Sequence, residues 1–189
     1  MPIVDMHLKL QIIEMFLNRA ISVEDEYTQV FRRDYTNGDW HKELEWERAG
    51  DILLGYQDIV IRAALGELNA LVELELKHLA WTILEKKGER RKRKEKLGRG
   101  TARRIIEEHY DIKLDDLPRF AEVDRIRKVV NAYKHDNGFS SEYTFVPERY
   151  ELEWEKALCS VEAVREFLQA LPGDRATLGD SVVRFLSKR

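Results

Sequence analysis

The segment from Asp124 to Gly138, DRIRKVVNAYKHDNG, holds the residues best suited to chemistry on an anion. At 100° per residue, a helix over it places Arg127, Asn131, Lys134 and His135 within an arc of about 100°. Ile126, Val129, Val130 and Tyr133 fall on the opposite arc, the side expected to meet a core. One face therefore offers a guanidinium, an amide, an ammonium and an imidazole. That set can bind a phosphate, stabilise developing negative charge and carry a proton. Lys134 and His135 also fall in the last helical turn, where the helix dipole favours positive charge. The ordinary alternative is a solvated face that ends in two cations.

A second group suited to anions lies upstream. Between Lys86 and Arg104 there are eleven Lys/Arg and two Glu, a local charge of +9 in a chain whose net charge is −3. Arg90, Arg91, Lys92, Arg93, Lys94 and Lys96 form its densest part, and glycines at 88, 98 and 100 predict a mobile connector. Such a run can neutralise several phosphates and bind nucleic acid without sequence preference. It lacks interleaved aromatics, so it offers no stacking platform for single-stranded bases. A merely solvated charged loop is the competing reading.

The remaining chemistry-bearing residues carry less. His41 with Glu43 and Glu45, and His109 with Glu107, Glu108 and Asp111, are metal-competent types without the HExxH arrangement. No metal or other cofactor is expected. Gly98-Arg99-Gly100 has neither the preceding strand nor the following GK[ST] of a phosphate loop. The single cysteine, Cys159, excludes an intramolecular disulfide and lies beside an apolar stripe, where it is expected to pack as a small side chain. Trp46, Trp81 and Trp154 are expected in the core.

These residues need long helices to position them. The chain has 189 residues, 43% hydrophobic and 35% charged, a composition that suits amphipathic helices in a single domain over 1–189. Its prolines, at 2, 118, 147 and 172, leave 3–117 free of the main helix breaker. Ile3, Met6, Leu10, Ile13, Leu17 and Ala20 mark a first helical stripe, Ser22 could start another segment, and Asp34–Asp39 carries an Asn37-Gly38 turn. A polar connector with Trp40, His41 and Trp46 follows. The longest element, about 50–87, repeats Ile61, Leu65, Leu68, Val72, Leu76, Leu79 and Ile83, widened by Val60, Ala64, Leu71 and Leu74. It should be central.

A short helix after Thr101 leads to Pro118, placed in the first turn of the helix that ends near His135 and Asp136-Asn137-Gly138. Residues 139–147 read as extended. The last large helix is expected over 147–171, with Tyr150, Trp154, Leu158, Val161, Val164, Leu168 and Leu171 on one face, stopped by Pro172-Gly173. A short helix capped by Asp174 follows, carrying Leu178, Val182, Val183 and Phe185. The fold expected is an all-α bundle of five to seven helices. No stretch of eighteen apolar residues predicts a membrane span, and no basic leader with an apolar core opens the chain, so a cytoplasmic protein is the expectation.

The VVNAYKH stretch, in a late helix of an all-α chain, resembles the signature of the HEPN superfamily. ALGELNALVELELKHLAW is similar to the long second helix of those bundles, and the likeness spans about 50–171. It implies a helical bundle that dimerises and acts on RNA. In many members that action is metal-independent cleavage within toxin–antitoxin or phage-defence systems; others are non-catalytic binding modules. The family's catalytic pattern is an arginine, often followed by a polar residue, then a histidine after four to six intervening residues. Asn131 and His135 match the last two, but the arginine position holds Val130. The nearest arginine on that face is Arg127, one turn earlier. The resemblance implies His135 as acid/base, Arg127 and Lys134 as a phosphate clamp, and Asn131 as an orienting amide. Implied partners are a second copy, RNA and a cognate antitoxin. The alternative is a non-catalytic helical module that binds nucleic acid or an acidic protein.

Overall fold

A computed structural model describes residues 6–36, 43–88, 97–135 and 152–173. These residues are helical almost throughout and hold five α-helices and no strand, an all-α bundle. Helix α1 spans Met6–Thr36, α2 Glu43–Lys86, α3 Arg99–Tyr110, α4 Phe120–His135 and α5 Trp154–Ala170, with a 3-10 turn at Leu114–Asp116.

Helix α2 is the axle. It packs against each of the other four helices, and its buried positions recur at three or four residues from Val60 to Leu84. The expected stripe is seen: Ile61, Leu65, Leu68, Val72, Leu76 and Ile83 are buried, with Leu79 half-buried. Val60, Ala64 and Leu71 widen it as expected, but Leu74 does not, being 51% exposed on the far side. Its position is 60° from Leu71's in the rotation of the helix, beyond the edge of the buried arc.

Contacts at the two ends set the directions. Trp154 at the start of α5 meets Tyr56 on α2 and donates from Nε1 to Glu24 on α1. At the other end Gly173 lies against Leu79 and Tyr110, so α5 and α3 both run parallel to α2. Gly173 has φ +138°, and a Cβ there would sit 3.5 Å from Leu79 Cδ1. Helix α4 runs against them, with Phe120 on Phe167 and Arg119 Nε donating to Glu166 at 2.9 Å.

Several boundaries differ from the sequence expectation. Helix α1 passes unbroken through Ser22 and the first residues of the Asp34–Asp39 turn, ending at Thr36. Without proline or glycine there, nothing interrupts the hydrogen-bond ladder. Helix α2 begins at Glu43, so part of the Trp-bearing connector is helical, and it accommodates Gly50, Gly55 and Gly66. Helix α3 starts at Arg99 with Gly98 as an extended N-cap, two residues before Thr101. Pro118 is not in the first turn of α4. It precedes that helix, because Arg119 takes φ +62° and the turn closes by Phe120 N–H donating to Leu117 O at 3.2 Å. The final helix begins at Trp154, not 147, after an extended Glu153. Expectations for residues 1–5, 37–42, 89–96, 136–151 and 174–189 lie outside the described residues, including Ile3, Asp136-Asn137-Gly138, Tyr150 and the Asp174 helix.

Two substitutions on α2 test this packing. Leu68, fully enclosed, should cost about 2–5 kcal/mol as Leu68→Ala, because it leaves a cavity. Leu74→Ala should cost no more than about 0.5 kcal/mol. Urea unfolding midpoints followed by circular dichroism would separate the two.

Candidate functional site

Helix α4 divides as its sequence predicts. Val123, Ile126, Val129, Val130 and Ala132 are buried and Tyr133 is half-buried. Asn131, Lys134 and His135 are exposed, and Arg127 is partly buried. Val130, at the position where the HEPN pattern has arginine, is only 7% exposed and belongs to the core. No guanidinium can occupy that position without entering the apolar interior.

Arg127 is held, not free. Its Nε donates to Asp124 Oδ1 at 2.7 Å, one turn back, and Lys128 Nζ lies 3.7 Å from the other oxygen of the same carboxylate. Burial pushes the Asp124 carboxyl up, but Arg127 and the neighbouring cations outweigh it, and its pKa is lowered. Arg127 and His135 share the face but stand eight residues apart, about 12 Å along the axis. Asn131 sits midway. The two ends of the face therefore suit neighbouring phosphates of one strand better than a single phosphate.

The structure adds three residues that the sequence did not single out for the site. Arg99, the first residue of α3, donates from Nη1 to Asn69 Oδ1 on α2 at 3.1 Å. Asn69, 8% exposed, is the one buried polar residue among the described residues. Its other end is fixed by Nδ2 donating to Glu73 Oε1 at 3.5 Å, with Lys77 Nζ 3.3 Å from Glu73. Burial lowers the Arg99 pKa first, and the positive charge of Arg127 lowers it further. One turn along α3, Arg103 stacks over Phe120 at 5.4 Å and pairs with Glu107 at 2.9 Å and Asp115 at 2.7 Å. The cation over Phe120 places Arg103 of α3 at the start of α4. The signals in the sequence were Arg99 at the end of the basic run, Asp124 at the head of the α4 segment, and an amide in the apolar stretch LNALVEL.

Two grooves flank α4. The smaller, about 320 Å³, lies between α2 and α4 and is lined by Arg62, Ala63, Gly66, Val130, Tyr133 and Lys134, with Arg62 over the Tyr133 ring at 5.1 Å. The larger, about 370 Å³, lies between α4 and α5 over Ile126, Val129, Leu152 and Ala157. It includes none of Arg127, Asn131, Lys134 and His135. Cys159 at its edge is exposed, not packed as expected. Helix α5 turns that position outward between Ala157 and Val161, which are buried. Trp81 and Trp154 are partly buried against the core; the Trp46 side chain is outside the described set. Among the described residues no three His, Cys, Asp or Glu side chains converge as metal ligands, and no helix is long and apolar enough to cross a membrane. Arg90, Arg91, Lys92, Arg93, Lys94 and Lys96 lie outside the described residues.

What fold and face define together is an all-α bundle with a cationic helix face. No protein family matches the chain, and no curated protein or solved structure matches it either.

The Asp124–Arg127 pair has a pH signature. Because the folded-state pKa of Asp124 is lowered, its stabilisation is present above the unfolded value, about 3.9, and lost as pH falls through the folded one. Asp124→Asn should therefore be less stable than wild type at pH 7, and the gap should close below about pH 4. Denaturant midpoints from pH 7 down to pH 3 measure it.

Proposed function

We propose that this chain is an RNA-directed protein of the HEPN type and that the α4 face is where the RNA strand lies. The observation that carries this reading is the exposed row of Asn131, Lys134 and His135, with Arg127 at its head and an apolar face of α4 anchored beneath it. Cations and an amide spaced along about two turns suit a phosphodiester backbone, and an imidazole at the end adds a proton carrier. The basic run at 86–104, whose last turn enters α3, extends the same charge along the chain.

On this reading the reaction is cleavage by the RNA's own 2′-hydroxyl. His135 takes the 2′-hydroxyl proton, O2′ attacks phosphorus, and the P–O5′ bond breaks. A 2′,3′-cyclic phosphate remains, and the proton returns to O5′. Lys134 and Asn131 hold the non-bridging oxygens. The resemblance to HEPN nucleases suggests that no metal takes part. His135→Ala should lower the rate by about 10²–10⁴-fold without loss of helicity, and wild-type cleavage should persist in EDTA. Equal cleavage by wild type and His135→Ala would sink the catalytic assignment.

A specific observation favours a second reading, binding without cleavage. Val130 is buried and Arg127 is engaged by Asp124, so the face has no unpaired guanidinium next to His135. Wild type would then cleave nothing, while Lys134→Ala would weaken RNA binding in a salt-dependent manner and His135→Ala would change it little.

Assembly belongs to the same proposal. Leu8, Ile12, Met15 and Phe16 lie on one side of α1 and are 47–69% exposed, while Leu10, Leu17 and Ala20 on the other side are buried. A helix apolar on two sides suits a second copy of the chain. Light scattering should give twice the 22.3 kDa chain mass, and Ile12→Glu with Met15→Glu should return the single mass. A 22.3 kDa species for wild type at tens of micromolar would remove the homodimer. A cognate antitoxin is a further partner consistent with the RNA-directed reading.

A further inference from the structure

The central helix α2 carries one glycine, Gly66, within its buried stretch from Val60 to Leu84. Glycine weakens the interior of a helix, and close approach of another backbone is the usual packing reason to keep it. Packing gives no such reason here. Among the described residues, a Cβ at Gly66 would meet nothing within 4 Å. Ala63, one turn earlier, adds only a methyl group. These two small residues form the α2 wall of the groove of about 320 Å³ that faces Val130 and Tyr133 on α4. Ile59, at the same groove, is exposed, so its mouth is open.

The other lining groups define what the groove suits. The Arg62 guanidinium lies over the Tyr133 ring at 5.1 Å. It is fixed there by Asp58, whose carboxylate is 2.6 Å away and whose backbone oxygen accepts from Arg62 Nε at 3.2 Å. An aromatic ring and a guanidinium plane are the surfaces on which unpaired nucleobases stack. Together they supply, from α4 and α2, the stacking platform that the basic run at 86–104 lacks. Among the described residues no carboxylate lines the groove, and Lys134 at its rim offers a point charge to a phosphate. Lys134 also belongs to the row with Asn131 and His135, so a base in the groove keeps its strand on that row. Pockets for small ligands hold about 300–1,000 Å³, and this groove, at the lower end, suits one ring system.

We propose that the groove between α2 and α4 is a pocket for one unpaired nucleobase, stacked against Tyr133 and Arg62, with its phosphate at Lys134. That the base belongs to RNA rests on the RNA-directed reading; the pocket's preference for a base does not. Gly66 then keeps the groove open at the expense of helix stability.

The test uses the full chain, a fluorescent single-stranded RNA oligonucleotide, adenosine 5′-monophosphate, and ribose 5-phosphate, which lacks the base. Adenosine 5′-monophosphate at millimolar concentration should raise the thermal midpoint of wild type, and ribose 5-phosphate should not. Gly66→Leu should melt at or above the wild-type temperature, because leucine favours the helix and the space is open. It should nevertheless bind the RNA about tenfold more weakly and lose the nucleotide response. Its salt dependence should stay that of wild type, since no phosphate contact is removed. Tyr133→Leu should weaken binding in the same way, whereas Tyr133→Phe, which keeps the ring, should not. A nucleotide response that depends on Gly66 and Tyr133, without RNA binding by wild type, would support the base pocket and remove the polymer as its source. Undiminished RNA binding by a folded Gly66→Leu variant would overturn the pocket and leave the RNA reading standing. Equal stabilisation by ribose 5-phosphate would overturn it as well. If Gly66→Leu does not fold, Tyr133→Leu and Tyr133→Phe decide in its place, and equal RNA affinity of the two overturns the pocket. No effect of RNA or nucleotide on wild type overturns both proposals.

Discussion

Burial of one continuous face of α2, from Val60 to Leu84, is the constraint from which the other positions follow. At 1.5 Å per residue this 44-residue helix is about 66 Å long, much longer than the helices α3, α4 and α5 that lean on it. Its apolar side receives Leu10 and Leu17 from α1, Ile106 from α3, Ile126 from α4, and Val164 and Phe167 from α5, all within one cluster. Because the apolar arc is wide, several helices fit around it. The polar positions at its margin, Asn69, Glu73 and Lys77, are left at the seam where the N-terminus of α3 meets α2.

That seam differs in kind from the rest of the surface. Most ion pairs among the described residues are short-range and partly exposed, such as Arg104 with Glu108 and Lys156 with Glu153, and pairs of this sort contribute little. A few join distant elements: Arg119 to Glu166 ties α4 to α5, and Arg165 to Glu14 ties α5 to α1. These orient helices whose association the core already provides. The contact between Asn69 and Arg99 also joins distant elements, and its amide side is buried.

The cationic face of α4 begins at one helix turn, Asp124 to Arg127. Asp124 holds Arg127 against the helix, so the head of the face is tied down, while its far end, at Lys134 and His135, is exposed. A ligand laid along it would meet a rigid end and an adaptable one, a division that suits a flexible polymer better than a small compact substrate.

Periodicity alone was enough to read the helical class, the central place of α2 and the two-sidedness of α4, because a 3.6-residue repeat of apolar side chains has few other ways to be buried. Val130 and Asn131 fall on opposite sides of α4 for that same reason. Boundaries were less legible where a local signal met a long ladder: Ser22 and three glycines lie inside helices because each costs less than the hydrogen bonds and packing it would interrupt. Pro118 looked like a first-turn residue, yet the left-handed Arg119 behind it ends one turn before the next helix begins. The partners of the site were beyond reading along the chain. Asn69, Arg99 and Arg127 are 30 and 28 residues apart in succession. The packing of α3 along α2 is what brings Arg99 to Asn69. Sequence spacing specifies which residues share a face of one helix; which faces of different helices meet is decided by how their apolar sides pack together.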